Sequence, residues 1–237
     1  MIDTTVDGNI GIINIKKADS SIPFCFEFER ECRHIIDDSI KALVITSDVE
    51  NFVEYCHLTN EDDCIGVLNT LMGIKVPIIA AIELGARSYG LELALGCDIR
   101  VCNKDSMFSL NQISDSIPFR GATQILPRLI GRGRALDMIL TSREINAVEA
   151  KEMGITSYVF DDSVIHEAVE IALSIAKNTS PIATQFAKES ILSGLNMSLR
   201  QGVLFESDLN VILQSTQDRT EGINSFIQRR APNYKGE

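Results

Sequence analysis

The chain has 237 residues, enough for one large domain or one domain with a small appendage. Its 45% hydrophobic and 23% charged residues are those of a folded globular chain, which excludes global disorder and collagen-like order. The 33 acidic residues outnumber the 22 basic ones, and the net charge of −11 repels a phosphate backbone, so nucleic acid is not an expected partner.

In chain order, Asn9-Ile10-Gly11-Ile12-Ile13-Asn14-Ile15 reads as a strand. The stretch from Phe24 to Asp38 follows with Phe24, Phe28, Ile35 and Ile36 near helical spacing. Ala42 to Thr46 is strand-like, an acidic loop and a short helix come next, and Val76 to Ile82 is a third apolar strand. A helix is expected from about Tyr89, then a strand from Asp98 to Cys102. Strands alternating with helices predict an α/β class whose sites lie at strand-to-helix turns. From about Gly131 the pattern is almost all helical: Ala147 to Met153, Ile165 to Asn178, Pro181 to Leu195, Leu199 to Ser215 and Glu221 to Arg229. Ser180-Pro181 is an N-cap followed by a first-turn proline. The organisation expected is a core over residues 1–180 and a helical tail over 181–237 that packs on another subunit.

No apolar run approaches the ~18 residues that a membrane span needs, so no membrane partner is expected. Met1-Ile2-Asp3-Thr4 has neither the basic start nor the apolar stretch of a secretory signal, and the expected location is the cytoplasm. The six cysteines form no C-x-x-C pair and no zinc-like spacing with histidine. They are expected to be reduced and structural, and no metal site is predicted.

The segment Gly85-Ala86-Arg87-Ser88-Tyr89-Gly90-Leu91-Glu92-Leu93-Ala94-Leu95-Gly96-Cys97-Asp98-Ile99-Arg100, preceded by Val76-Pro77-Ile78-Ile79-Ala80-Ala81-Ile82, resembles the signature of the crotonase (enoyl-CoA hydratase/isomerase) superfamily. Further segments resemble the family in order: Gly121 to Gly131 its G-G-T-Q-x-L-P-R-x-I-G, Ala135 to Thr141 its A-L-E-M-x-L-T, Ala150 to Ile155 its A-x-E-x-G-L, and Phe226 to Gly236 its F-x-E-K-R-x-P-x-F-K-G. The resemblance covers essentially the whole chain. It implies a crotonase-type spiral of β-β-α units wrapped by helices, with a C-terminal helical region that trimerises. It also implies an acyl-CoA substrate, coenzyme A entering as part of that substrate with no separate cofactor, and a homotrimer or hexamer.

The chemistry of such a site follows from the thioester. A carbonyl that becomes an enolate needs two preorganised donors at its oxygen, and backbone N–H groups at a loop and a helix N-terminus supply them. The resemblance implies the backbone N–H of Tyr89 for one. For the other it implies that of Cys56, in Phe52-Val53-Glu54-Tyr55-Cys56-His57-Leu58, against the reading of Cys56 as an ordinary loop cysteine. Glu92 matches one of the two glutamates with which hydratases of this family handle water; the alternative is a carboxylate placed for the helix dipole. The second glutamate falls in Phe108-Ser109-Leu110-Asn111-Gln112, on Gln112 or on Asn111, an amide either way. Asp115 is the nearby carboxylate that would stand in.

Ser88, Tyr89 and Tyr55 replace usual glycines, so the Tyr89 phenol either narrows the acyl pocket or donates to substrate. The stretch from Leu58 to Val76 is shorter than usual, which predicts a trimmed pocket roof. His57 is a general acid, a coenzyme A contact or a solvated loop residue, and Tyr55 and Lys235 are further candidates for binding substrate. Arg87 and Arg120 either meet a carboxylate or phosphate or are solvated, and His34 and His166 read as surface residues. Three functions remain open. One is a lyase or isomerase working through an enolate with Glu92 as acid/base; another is a biosynthetic decarboxylase or dehydratase on acyl-CoA or acyl-carrier protein; the last is a non-catalytic acyl-CoA-binding relative. Without a second carboxylate, ordinary two-glutamate hydratase activity is doubtful.

Overall fold

The β-branched runs and the amphipathic segments between them set up a layered arrangement, seen in a computed structural model that describes residues 2–16, 24–37, 39–53 and 66–237. The first half comprises β1 (Ile2–Asp7), β2 (Ile10–Ile15), α1 (Phe24–Ile35), β3 (Ala42–Ser47), α2 (Gly66–Gly73), β4 (Ile78–Ile82), β5 (Ala86–Arg87), α3 (Tyr89–Gly96), β6 (Ile99–Asn103) and β7 (Met107–Ser109). Then come α4 (Gln112–Asp115), α5 (Ala122–Ile130), α6 (Arg132–Thr141), β8 (Ile145–Asn146), α7 (Ala147–Met153) and β9 (Tyr158–Phe160). The chain closes with α8 (Val164–Asn178), α9 (Pro181–Gly194), α10 (Leu199–Leu213) and α11 (Gln217–Gln228).

The main sheet has the order β1-β2-β3-β4-β6-β9. It is parallel from β2 to β9, while β1 pairs antiparallel with β2. Parallel strands covered on both faces read as continuous apolar runs, which is why β3 and β4 are buried at every position. Alternate residues serve opposite layers. Ala42, Val44, Ile79, Ala81 and Val101 pack with Val164, Ala168 and Ala172 of α8. Leu43, Ile45, Ile78, Ala80 and Ile82 pack beneath α1 and α3 with Phe28, Cys32, Leu91 and Leu95. Each Val, Leu, Ile or Phe side chain among them, fully buried, stabilises by about 1.5–3 kcal/mol. A second sheet, β5-β7-β8, stands beside the first.

Burial pushes the Cys32 and Cys97 thiols up to about 12, so both stay protonated and act as small apolar groups. Within the E-L-A-L-G-C-D-I-R segment the last charges are structural. Arg100 is buried and donates to the carbonyls of Cys97, Ala94 and Ile155 at 2.6, 3.4 and 2.6 Å, closing the C-terminal end of α3. The Asp98 carboxylate accepts from Ile78 N and Lys188 Nζ, each at 2.7 Å, joining α9 to the start of β4.

The expectation of an almost purely helical second half is corrected by β8 and β9. Two and three residues long, they are too short to show a period of two, and β9 is a strand because it extends the ladder beyond β6. β1 was not singled out, though Asp7-Gly8-Asn9 is a hairpin signal and Gly8 takes φ +58 at the turn. The helix expected over Glu221–Arg229 starts at Gln217, because the Thr216 side chain caps it by accepting from Arg219 N.

Candidate active site

The site is built where β5 turns into α3. Gly85 takes φ +117, and a Cβ there would sit 2.6 Å from the Met107 carbonyl oxygen, so only glycine lets β5 lie this close to β7. Ser88 follows at φ 46, ψ −115, the backbone of a turn that favours glycine. Its N–H donates to Ser109 O and its carbonyl accepts from Glu92 N, which holds the strained turn in place. Ser88→Gly is expected to raise stability by about 1 kcal/mol, the strain relieved exceeding the flexibility gained by the unfolded chain. A denaturation midpoint that falls would overturn this.

Tyr89 opens α3, so its N–H points out along the helix axis at the positive end of the dipole. One residue on, the space for a Cβ at Gly90 is taken: it would lie 1.8 Å from Asn51 O and 3.0 Å from Val53 N. The segment ending at Val53 therefore crosses the first turn of α3 in backbone contact. Tyr55, Cys56 and His57 themselves lie outside the described residues. Gly90→Ala is expected to destabilise by about 2–3 kcal/mol through overpacking against backbone. An unchanged midpoint in chemical denaturation would count against that close approach.

Glu92 lies one turn into α3 and is 6% exposed. Its Oε1 accepts from Arg120 N at 2.7 Å and Ala122 N at 3.0 Å, while Oε2 is buried without a partner. Burial raises its pKa above the ordinary 4.5, and the two N–H bonds offset only part of that rise. Gln112, the first residue of α4, is fully buried against the same carboxyl. It is near enough to favour the charged form, yet both of its amide atoms lack a hydrogen bond of full geometry. Asn111 is the residue before α4, with its Oδ1 buried and unpartnered. Asp115 is exposed, its Oδ1 accepting from Ser114 Oγ, and it does not join this group.

Folded chains pair nearly all their buried polar atoms. Of the seven unpaired side-chain atoms among the described residues, six belong to Glu92, Ser109, Asn111, Gln112 and Arg120. Such a concentration marks a place prepared for a ligand rather than a core. Beside it is a cleft with apolar walls from Phe24, Val53, Val67, Leu68, Leu71 and Leu93, and with Tyr89, Glu92 and Arg120 also lining it. Arg120 lies over the Tyr89 ring, its guanidinium carbon 3.7 Å from the centroid, a contact worth about 0.5–2 kcal/mol. α2 packs so closely over the neighbouring elements that a Cβ at Gly96 or Gly121 would meet Leu71 or Leu68 at 2.7 and 2.8 Å.

The other charged candidates fall elsewhere. Arg87 pairs with Glu144 at 2.9 Å on the surface. His34, His166 and Lys235 are exposed, and the Lys235 N–H donates to Asp218 at the base of the C-terminal helices. Ser109 escaped the sequence reading; its place in the strand-like Phe108-Ser109-Leu110 just before Asn111 was the available signal.

The enoyl-CoA hydratase/isomerase family profile matches residues 58–237. The 2,3-dehydroadipyl-CoA hydratase of Escherichia coli (strain K12) is 35% identical over 212 residues, 84% of this chain and 83% of that one. The mitochondrial methylglutaconyl-CoA hydratase of Mus musculus is 37% identical over 177 residues, 72% of this chain and 56% of that one, so the match spans just over half of the mouse protein. The crystal structure of enoyl-CoA hydratase from Bacillus anthracis superposes on 100% of this chain and 99% of its own, with a TM-score of 0.89 at 29% identity. The two-sheet α/β architecture is thus the crotonase fold, and the chain belongs to the enoyl-CoA hydratase/isomerase family.

Proposed function

We propose that the protein is an acyl-CoA lyase or isomerase that holds a thioester enolate between the backbone N–H groups of Tyr89 and Cys56 and moves protons with Glu92. The observation that carries this is Glu92 itself. One carboxylate oxygen is anchored by two backbone N–H groups, the other is buried without a partner, and the residue lines an apolar cleft beside a helix N-terminus. Anchoring fixes the carboxylate in position, and the second oxygen is left for a proton at substrate Cα. Coenzyme A enters as part of the substrate, with Tyr55, His57 and Lys235 as candidate contacts, and the Gln112 amide orients what Glu92 acts on. Exchange of the Cα protons of butyryl-CoA in deuterated water, followed by NMR, tests the enolate step without requiring a second acid. Exchange dependent on Glu92 is the expected result, and binding with no exchange would remove it.

Gln112 favours one further reading. Loss of carbon dioxide from a β-carboxyl thioester yields the enolate without a base and so tolerates an amide at this position. Release of carbon dioxide from a malonyl thioester, on coenzyme A or a carrier protein, would favour it over the isomerase. Binding of thioesters without turnover of any kind would favour a non-catalytic relative.

For residues 181–237 the proposal is a homo-oligomeric interface, trimeric or hexameric. α9 has no buried residue, and α10 and α11 expose Leu199 and Phe226, both 85% accessible. Helices with so little cover need a partner surface. A trimeric or hexameric mass by light scattering is expected, and a monomeric mass would overturn it. The described Cys32, Cys97 and Cys102 carry free thiols, which supports a reducing compartment such as the cytoplasm.

A further inference from the structure

We infer that Arg120 is a specificity residue and that the acyl group taken by this site bears a second carboxylate, which the Arg120 guanidinium receives. The inference rests on the acyl-CoA reading above and names the substrate class for the same site.

The surroundings of Arg120 are those of a cation awaiting an anion. It lines the cleft with Val53, Leu68, Leu71 and Leu93, apolar groups that offer it nothing. Its Nε is buried and unpartnered, and among the described residues its guanidinium makes no hydrogen bond or ion pair. Among the described residues lining the cleft, the one carboxylate, Glu92, does not neutralise it. Glu92 Oε1 is bonded to the backbone N–H of Arg120, not to its side chain, and the Arg120 charge is the weakest of the influences on that carboxyl. Arg100 shows the contrast, since as a structural buried arginine it is satisfied by three carbonyls. Tyr89 supplies a platform instead, its ring centroid 3.7 Å from the guanidinium carbon.

A planar guanidinium seated on an aromatic ring with open N–H groups matches a carboxylate bidentately, whereas in an apolar cleft it penalises a methyl terminus. Because the backbone N–H of Arg120 sits 2.7 Å from Glu92 Oε1, the fork begins one side chain's length from the base. The far end of a short dicarboxylic acyl chain can therefore reach the fork while its Cα stands at Glu92.

Saturated thioesters test this without turnover: succinyl-, glutaryl- and adipyl-CoA against butyryl-, valeryl- and hexanoyl-CoA, by calorimetric titration of the unmodified protein. A preference of about tenfold or more for the dicarboxylic member of at least one pair is expected, the size of one charge-assisted contact. In R120Q that ratio should collapse to near one, and R120K, which keeps the charge without the fork, should fall between. Equal affinities within all three pairs overturn the inference, as does a preference that survives in R120Q. An Arg120 that served the coenzyme A phosphates would weaken both members equally in R120Q and leave the ratio unchanged, which also overturns it. If the unmodified protein binds the monocarboxylic thioesters without preference, only the substrate class falls. If it binds no thioester at all, the acyl-CoA reading falls with it. The unmodified protein decides the matter even where a variant fails to fold.

Discussion

Glu92→Gln lowers turnover by about 10²-fold or more with any thioester that the unmodified protein processes, while thioester binding stays near its original strength. Glutamine keeps the volume, and its Oε1 can still accept from Arg120 N and Ala122 N, so the geometry that places the residue survives. What is lost is an oxygen able to take a proton. Burial raises the Glu92 pKa above 4.5, so the acid limb of the rate profile should lie above the ordinary carboxylate range and vanish in the variant. Stability runs the other way. A carboxyl whose folded-state pKa is raised contributes stability that is fully present below its unfolded value and lost as pH rises through the folded one. Once ionised, Glu92 is therefore a burden on the fold, and Glu92→Gln should melt no lower than the unmodified protein above the folded-state pKa, with the difference closing below pH 4.5. A lower melting temperature above that pKa, or unchanged turnover, would make Glu92 a structural residue.

That coupling of stability to chemistry also explains what could be seen in the sequence. Regular features were visible because they repeat: the two-sided apolar runs of β3 and β4, the helix beginning at Tyr89, and Ser180-Pro181 opening α9, where the Ser180 side chain does accept from Ala183 N. Glu92 stood out because it follows the glycine-rich turn by one helical turn. What the chain order hides is contact between distant segments. Nothing around Gly90 says that Asn51 fills the space of its missing Cβ, and nothing in Ile117-Pro118-Phe119-Arg120 says that its backbone grips a carboxylate 28 positions earlier. The short β8 and β9 were hidden for the same reason, since their partners β7 and β6 define them.

The amide at position 112 sets the second large effect. Unmodified protein should hydrate crotonyl-CoA some 10²–10⁴-fold more slowly than a two-glutamate hydratase, the usual loss for one missing general acid/base. Gln112 is fully buried against Glu92 with both of its amide atoms unpaired, so a carboxyl placed there would face the same ligand volume from the neighbouring element α4. Gln112→Glu is isosteric and should raise hydration by about 10-fold or more, short of full recovery because Tyr89 and Arg120 still line the cleft. The new carboxyl would be desolvated and would lie beside a second carboxylate, and both effects raise pKa values. The pair should then share a proton across a broadened pH range, and the variant's rate should peak where one of the two is ionised and the other is not. Hydration by the unmodified protein at the rate of an ordinary hydratase would show that the amide does not limit the reaction. A Gln112→Glu protein that folds and binds crotonyl-CoA but gains no hydratase activity would show that Gln112 holds substrate rather than standing in for an acid, and would shift the chemistry toward an enolate formed without water.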